Sequence, residues 1–531
     1  MEDMKNNVLT FQEAEDFFNK GNEYFEKEDY VNAIPYYEKA SQHPEHYRAI
    51  NRLGYLYSHG LGTDKNNDIA FDCFKRAAKL GFDRAQFNLS RFYYNGKGGQ
   101  QSYPLAFEWM LKAADQGFSP AYFYLGWLYE HGEGVEQSYR QAYEWYLKAA
   151  NQGDGKAQLF LGWLYEDGKG VEQNYQLAFE WYLKAANQGL SKAQYSLGLM
   201  YDKGQGVAQN YQLAFEWYLK AANQGLSRAQ YSLGLMYDKG RGVAQNNQQA
   251  YEWYLKAANQ ENSVAQNSIG VMYHNGQGVK QDYQLAHEWF LKAANQENSD
   301  AQFNLGLQYR HGLGVEQNYK QAFEWFLKAA NQENSVAQFN LGLMYRQGKG
   351  TFLNEGMAWE WFLKAAKQGN AEALDYIHTL VDTGCIVIDV DRKFVFECID
   401  LYGKYKNIDV TEMFEKTIKD LFKQDEFKGF DLVKFQAEEQ QCKICQYYLA
   451  WAYENGKGVR LNYENAFCWY QKAAEAGVVI AMNSLAKFYE KGLASEVDLN
   501  KALEWYGKSC DARNKDGCRN YARLFKKIHK K

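Results

Sequence analysis

Proline is nearly absent, four in 531 residues, while aromatic residues make up 17% of the chain. Disordered tethers have the opposite composition, so this is a packed chain. No run of 18 apolar residues occurs, so no membrane-spanning helix is expected. Met1 to Leu9 is polar and lacks the apolar core of a signal peptide. Basic charge is not in excess either. A net charge of −5 and a pI of about 6.1 do not supply what phosphate neutralisation requires, and nucleic acid is not expected as a partner. The basic cluster Lys526, Lys527, Lys530 and Lys531 reads as a solvated helix end. Eight cysteines are too sparse for a disulfide scaffold in a chain of this length. They fit a reducing, cytoplasmic compartment.

What is abundant is repetition. Tryptophan stands at Trp109, Trp145, Trp181, Trp217, Trp253, Trp289, Trp325 and Trp361, each 36 residues after the last. A period of this length marks a repeat array, and 531 residues exceed what one compact core accommodates. From Ala49, nine units tile without a gap from 49–84 to 337–372. In 193–228, Ala193, Leu197, Met200 and Tyr201 fall on one helix face, and Ala214, Trp217, Tyr218, Ala221 and Ala222 on another. Gly204-Gln205-Gly206 separates them, its first glycine placed to end a helix in the left-handed conformation. The fold class is therefore all-α, a solenoid of tandem 36-residue helix-turn-helix repeats. Gly198 recurs mid-helix at Gly126, Gly162, Gly234, Gly270, Gly306 and Gly342, at about 1 kcal/mol each relative to alanine. Close approach of two helix backbones is the expected compensation, with Trp217 burying the largest apolar area of the unit.

The phase persists after the pattern fades. Residues 373–444 read as two degenerate units or a bent junction, with strand-like character at Cys385 to Val390 and with Glu397 and Val433 in the tryptophan column. Residues 445–531 hold further repeats and a capping helix. Residues 1–48 differ in kind. Lys20-Gly21-Asn22, Tyr24-Phe25, Ala33, Tyr36-Tyr37, Ala40 and Pro44 look like one tetratricopeptide repeat serving as an N-terminal cap.

The pattern Ala-Gln-x-x-Leu-Gly-x-x-Tyr-x-x-Gly-x-Gly-Val, followed by Ala-Phe-Glu-Trp-Tyr-x-Lys-Ala-Ala, resembles the Sel-one-like repeat family and covers nearly everything from Ala49 to Cys518. The resemblance implies a right-handed superhelix that scaffolds protein complexes. Members include degradation adaptors of the endoplasmic reticulum, activators of fungal chitin synthase, and bacterial proteins acting on host cells. The first need a signal peptide and the second can end in a prenylation box, whereas this chain ends Ile528-His529-Lys530-Lys531. By elimination the third class remains, a cytosolic type of protein or one delivered into a host by a specialised route. Cysteine-rich bacterial members bridge the end of one unit to the start of the next, and Cys510 with Cys518 resembles that spacing. The carboxylate clamp of some tetratricopeptide domains does not carry over, because Phe18 stands where the lysine before Asn22 would be.

Candidate chemistry has a plainer explanation at each place. Cys442-x-x-Cys445 lacks the second pair that zinc needs, and Cys445 occupies the column of Ala337 and Ala481. His131, His274 and His311 sit at first-helix ends, where a cation faces the negative end of the helix dipole. Gly-x-Gly loops follow helix C-termini, unlike phosphate cradles. Glu144, Glu180, Glu216, Glu252, Glu288 and Glu324 precede Lys148, Lys184, Lys220, Lys256, Lys292 and Lys328 by four residues, the order of an exposed helical ion pair. No catalytic residue, metal or cofactor is expected.

Recognition is expected where units differ. The column before the loop runs Glu130, Glu166, Asp202, Asp238, His274, Arg310, Arg346, drifting from acidic to basic beside Trp127 and Trp163. Two readings stand: a stripe holding a peptide or partner helix of opposite polarity, or drift on a solvent-facing surface. The expected function is a non-catalytic scaffold binding a protein or peptide. An enzyme working through 373–444 and a plain structural spacer are the alternatives.

Overall fold

The computed structural model describes residues 9–382, 393–406, 411–439 and 441–529. These hold 29 helices and no strand. The strand-like segment from Cys385 to Val390 lies outside the described residues. The chain forms two compact units, residues 1–265 with 277–279, and residues 266–276 with 280–531. Within each unit, helix hairpins stack one on the next as an α-solenoid.

One hairpin shows how the sequence builds them all. The first helix, Ser191–Lys203, ends at Gly204, whose φ of 69° is left-handed and whose N–H bonds back to the Met200 carbonyl. Two residues on, Gly206 (φ 68°) lies directly against the Tyr175 carbonyl of the preceding repeat, with no room for a Cβ. Gln209 Nε2 donates to the Asp202 carbonyl (2.7 Å), satisfying an orphan acceptor at the first helix's end. Gln137, Gln173, Gln245, Gln281 and Gln317 do the same in their own loops. Asn210 then accepts from the Leu213 N–H (3.0 Å) to cap the second helix, Tyr211–Asn223.

Neighbouring hairpins are tied by a buried polar ladder. Gln194 Nε2 donates to the Ala186 carbonyl of the preceding hairpin, and its Oε1 accepts from Gln224 (2.8 Å), the residue that closes the second helix of its own hairpin. Gln158, Gln230, Gln302 and Gln338 repeat both bonds, donating to the carbonyls of Ala150, Ala222, Ala294 and Ala330 in the preceding hairpin and accepting from Gln188, Gln260, Gln332 and Gln368 of their own. Each buried amide is thereby satisfied, so the ladder fixes the stacking register without the cost of an unpaired polar group.

One expectation about the core is corrected and a second is refined. The mid-helix glycines do not admit a second backbone. A Cβ on Gly126 would lie 2.5 Å from the Tyr146 ring and one on Gly306 2.5 Å from the Phe326 ring. The glycine column is a seat for one aromatic side chain, and the close backbone approach occurs at the second loop glycine instead. The refinement is that tryptophan is not the most completely enclosed residue of the unit. Tyr146, Tyr182, Tyr218, Phe290, Phe326 and Phe362 are at most 2% exposed, whereas Trp217 is only half-buried. The Lys220 ammonium sits 3.8 Å from the Trp217 ring centroid, and the equivalent lysine covers Trp109, Trp145, Trp181, Trp253, Trp289, Trp325, Trp361, Trp469 and Trp505 at 3.7 to 4.2 Å. Cation–π attraction to the indole three residues earlier thus holds each of these lysines, whether or not it also pairs with the glutamate four residues earlier. The ion pair forms at Glu108–Lys112, Glu360–Lys364 and Glu504–Lys508.

At the N-terminus, Phe11–Glu26 and Tyr30–Ala40 form one hairpin. Phe18 is buried and Asn22 accepts from the Tyr37 hydroxyl (2.9 Å), so both clamp positions are spent internally. The degenerate stretch contains Ala371–Asp382, Lys393–Lys406, Thr411–Gln424 and Glu426–Glu438. Between the last two the loop is reduced to Asp425, which caps the Phe427 and Lys428 N–H groups. Val433 is fully buried. At the C-terminus Cys510 is disulfide-bonded to Cys518, joining Leu499–Asp511 to Lys515–His529.

Candidate binding face

The column from Glu130 to Arg346 is half-buried in every repeat, and much of its charge is engaged internally. Tyr146 and Tyr182, on the second helices, donate their hydroxyls to Glu130 (2.6 Å) and Glu166 (2.5 Å). Tyr470 and Tyr506 do the same to Glu454 and Glu490. Burial, followed by the facing carboxylates of Asp202 and Asp238, raises the pKa of Tyr218 and Tyr254 far above that of a free phenol. In repeats 299–334 and 335–370 the partner ring is Phe326 or Phe362, which has no hydroxyl. There Arg310 donates to Asn340 Oδ1 (2.7 Å), and Arg346 lies against Tyr376 and Glu355. The change from acid to base follows the change from tyrosine to phenylalanine 16 residues on.

The histidines divide. His131 stacks on Trp127 (3.9 Å) with Nδ1 2.9 Å from the Trp127 carbonyl. His274 is not the expected helix-end cation: burial pushes its pKa down, and its buried Nδ1 has no hydrogen-bond partner. The Cys442-x-x-Cys445 spacing is a helix cap, with the Cys445 N–H donating to Cys442 Sγ (3.3 Å) and Cys445 fully buried. Among the described residues no three His, Cys, Asp or Glu side chains are grouped to hold a metal ion, and no helix is long and apolar enough to cross a membrane.

A real cavity opens elsewhere on the same first-helix face. It measures about 370 Å³ and is walled by Met110, Phe123, Tyr124, Trp127 and Phe160, with Arg91 and Lys156 among its lining residues. Its origin is a local departure from the repeat. Ser90 stands where Gly126, Gly162 and Gly198 stand, and Met110 where Tyr146, Tyr182 and Tyr218 stand. The Ser90 hydroxyl bonds to the Ala106 carbonyl (2.5 Å). With no ring seated on a glycine, the slimmer Met110 leaves space between the helices Asp83–Asn95, Ser119–His131 and Gly155–Asp167. Of the residues singled out from sequence, only Trp127 lines this cavity; the rest of its wall is newly identified. The signal was present, since among the repeats that the regular pattern covers the glycine and the aromatic ring are both missing from their columns only here.

In the second unit a cavity of about 520 Å³ is lined by Glu415, Lys419, Phe422, Trp451 and Lys457 among others. Its charges are spent on one another, Lys419 on Glu415 and Lys457 on Glu426.

Helix hairpins of this length, closed by a left-handed glycine and a second glycine against the previous repeat, define an α-solenoid of tetratricopeptide-like type. The chain belongs to the Sel1 repeat family, whose model matches nine abutting repeats from 48 to 370 and two more at 443–478 and 479–514. Most matches open at the start of a first helix, one to two residues ahead of the tiling from Ala49. The chain is similar to c5321, a protective antigen present in uropathogenic Escherichia coli strains displaying an SLR fold, with 34% identity over 86% of this chain and 90% of that one and a TM-score of 0.54. It is also similar to a Sel1 repeat protein from Oxalobacter formigenes, with 34% identity over 58% of this chain and 89% of that one and a TM-score of 0.47. No curated protein matches the chain.

Proposed function

We propose that the protein is a non-catalytic interaction scaffold that seats an apolar side chain of a partner peptide in the cavity centred on Trp127. The observation that carries this reading is the aromatic-walled cavity of about 370 Å³ beside Met110, whose column holds an aromatic ring in each of the other family-matched repeats. Buried aromatic anchors in a preformed pocket are where binding energy concentrates. Duplication argues against catalysis. Residues 173–208 and 209–244 differ only where Lys192 and Gln205 become Arg228 and Arg241, and a copied hairpin extends a surface rather than a unique reacting constellation. In this reading the stripe from Glu130 to Arg346 serves mainly the fold.

The test is a random dodecapeptide display library panned against the full chain. Enriched peptides carrying an aromatic or long aliphatic residue, bound at least about tenfold more weakly by Trp127→Ala, support the reading. Ligands that bind Trp127→Ala as well as the wild type move the binding face elsewhere.

A second reading, a host-directed bacterial protein on this fold, is favoured by the likeness to a protective antigen at 34% identity and by the Cys510–Cys518 bond. Disulfides persist in oxidising surroundings. Antibody labelling of intact source cells supports exposure; labelling of lysed cells alone rejects it.

A further inference from the structure

We infer that the Trp127 site reads an acidic peptide, with an apolar anchor in the aromatic cavity and an aspartate or glutamate side chain in a second, cationic cavity beside it. The inference rests on the peptide-binding reading above and adds the chemistry of the ligand. The second cavity, about 340 Å³, is lined by Ser58, His59, Lys65, Asn88, Arg91 and Lys97 among others. It joins the first through Arg91 and Asn95, which line both. No aspartate or glutamate lines either cavity. Among the described residues, none of Lys65, Arg91 and Lys97 lies within ion-pair distance of a carboxylate, in contrast to the internally neutralised charges of the second unit's cavity.

The cationic set is again a departure from the repeat. Arg91 stands in the apolar column of Trp127, Trp163, Leu199 and Leu235. Lys65 replaces the loop glutamine found at Gln101, Gln137 and Gln173, giving up the bond that ties the loop to the first helix. Ser58 and Tyr94 hold the positions that carry Glu130 and Glu166 further along, so the column brings no carboxylate to the two helices that carry His59 and Arg91, while the Glu133 carboxylate meets the Tyr94 hydroxyl beside the apolar cavity. Four exchanges, Ser90 and Met110 opening one cavity and Lys65 and Arg91 charging the other, meet in two adjacent hairpins. Arg91 links them physically, its guanidinium 5.8 Å from the ring centroid of Tyr124, a wall residue of the apolar cavity. An arginine fork held over an aromatic face is pre-organised for a carboxylate. Because the two cavities share a wall, anchor and acid must be near neighbours in the peptide, within the roughly 3.3 Å per residue reach of an extended chain.

The same dodecapeptide library tests this when panned in parallel on the full chain, on Arg91→Glu and on Lys65→Gln. Lys65→Gln restores the residue the following repeats carry and therefore preserves the fold. The expected result is that wild-type selections place Asp or Glu within four positions of the anchor, that changing this acid to Asn or Gln weakens binding about tenfold, and that Arg91→Glu and Lys65→Gln each abolish the preference. The affinity for the acidic peptide is also expected to fall with added salt more steeply than that for its amide version. Peptides lost on Trp127→Ala but without acid enrichment overturn the acid preference alone. Selections unaffected by Trp127→Ala overturn the underlying reading. Tighter binding by more than tenfold when phosphoserine replaces the selected acid reassigns the cavity to phosphopeptides and overturns the carboxylate.

Discussion

Repeats 119–262 and repeats 299–370 are two editions of one hairpin. In the former the seated ring is tyrosine and the first helix offers Glu130, Glu166, Asp202 or Asp238; in the latter it is phenylalanine and the first helix offers Arg310 or Arg346. A phenol hydroxyl carried into the core needs an acceptor, and the carboxylate supplies one. Once the hydroxyl is absent the position is released, and arginine finds neighbours of its own in Asn340 and Tyr376. A charge gradient along a repeat array is therefore not by itself a binding signal. Repeat 83–118 departs further, dropping both ring and glycine, and there a cavity appears.

The largest effect is expected from removing the seat. In Gly126→Leu the side chain would start 2.5 Å from the Tyr146 ring, and overpacking of this kind costs about 3 kcal/mol. Urea unfolding followed by circular dichroism would show the loss, and Tyr146→Ala in the same chain should return part of it by vacating the space. If Gly126→Ala instead stabilises the chain by the roughly 1 kcal/mol that helix propensity offers, the ring does not rest on that glycine.

The coupling of ring and charge comes next in size. Tyr146→Phe removes one charge-assisted hydrogen bond, a loss of about 1.5 kcal/mol, and Glu130→Arg strands a buried hydroxyl at a cost of about 2 kcal/mol. The double variant recreates the edition found at Phe326 and Arg310. Its loss should fall short of the sum by at least about 1 kcal/mol in a double-mutant cycle. Strict additivity would show that the two columns vary independently, and the charge stripe would regain its claim as a recognition surface.

The architecture was legible from the 36-residue spacing, the paired glycines and the alanine columns, because each of these records a backbone requirement repeated many times. Details that depend on which side chain meets which were harder to read. Trp217 and Tyr218 fell on the same expected face, and size favoured Trp217, yet it is Tyr218, turned from it by about 100°, that is enclosed against the first helix. Glu216 and Lys220 had ideal spacing for an ion pair, but the indole between them was the nearer partner. The cavity was missed for a different reason. A periodic reading rewards what recurs, whereas the site is made by Ser90, Met110, Lys65 and Arg91, where recurrence breaks.

The smallest effect sharpens the acid–tyrosine pairing at the C-terminal end. Glu490 accepts from Tyr506 (2.9 Å) as its counterparts do, but it also receives two bonds from Arg523 (2.7 and 2.6 Å) of the last helix. The Arg523 guanidinium holds the Glu490 pKa below the ordinary 4.5, outweighing burial, which pushes it the other way. A carboxyl whose folded pKa is depressed contributes stability that is complete above the unfolded value and is lost as pH falls through the folded one. Hydrogen exchange of the Lys515–His529 amides should therefore be insensitive to pH, after correction for intrinsic rates, down to about 4.5 and accelerate below it. Arg523→Gln should flatten that acid response while leaving the Tyr506 bond in place. The Cys510–Cys518 bond secures the start of this helix in both chains, so a difference between them reports the ion pair and not the crosslink. An acid response unchanged in Arg523→Gln would assign it to another carboxylate and leave Glu490 equivalent to Glu130.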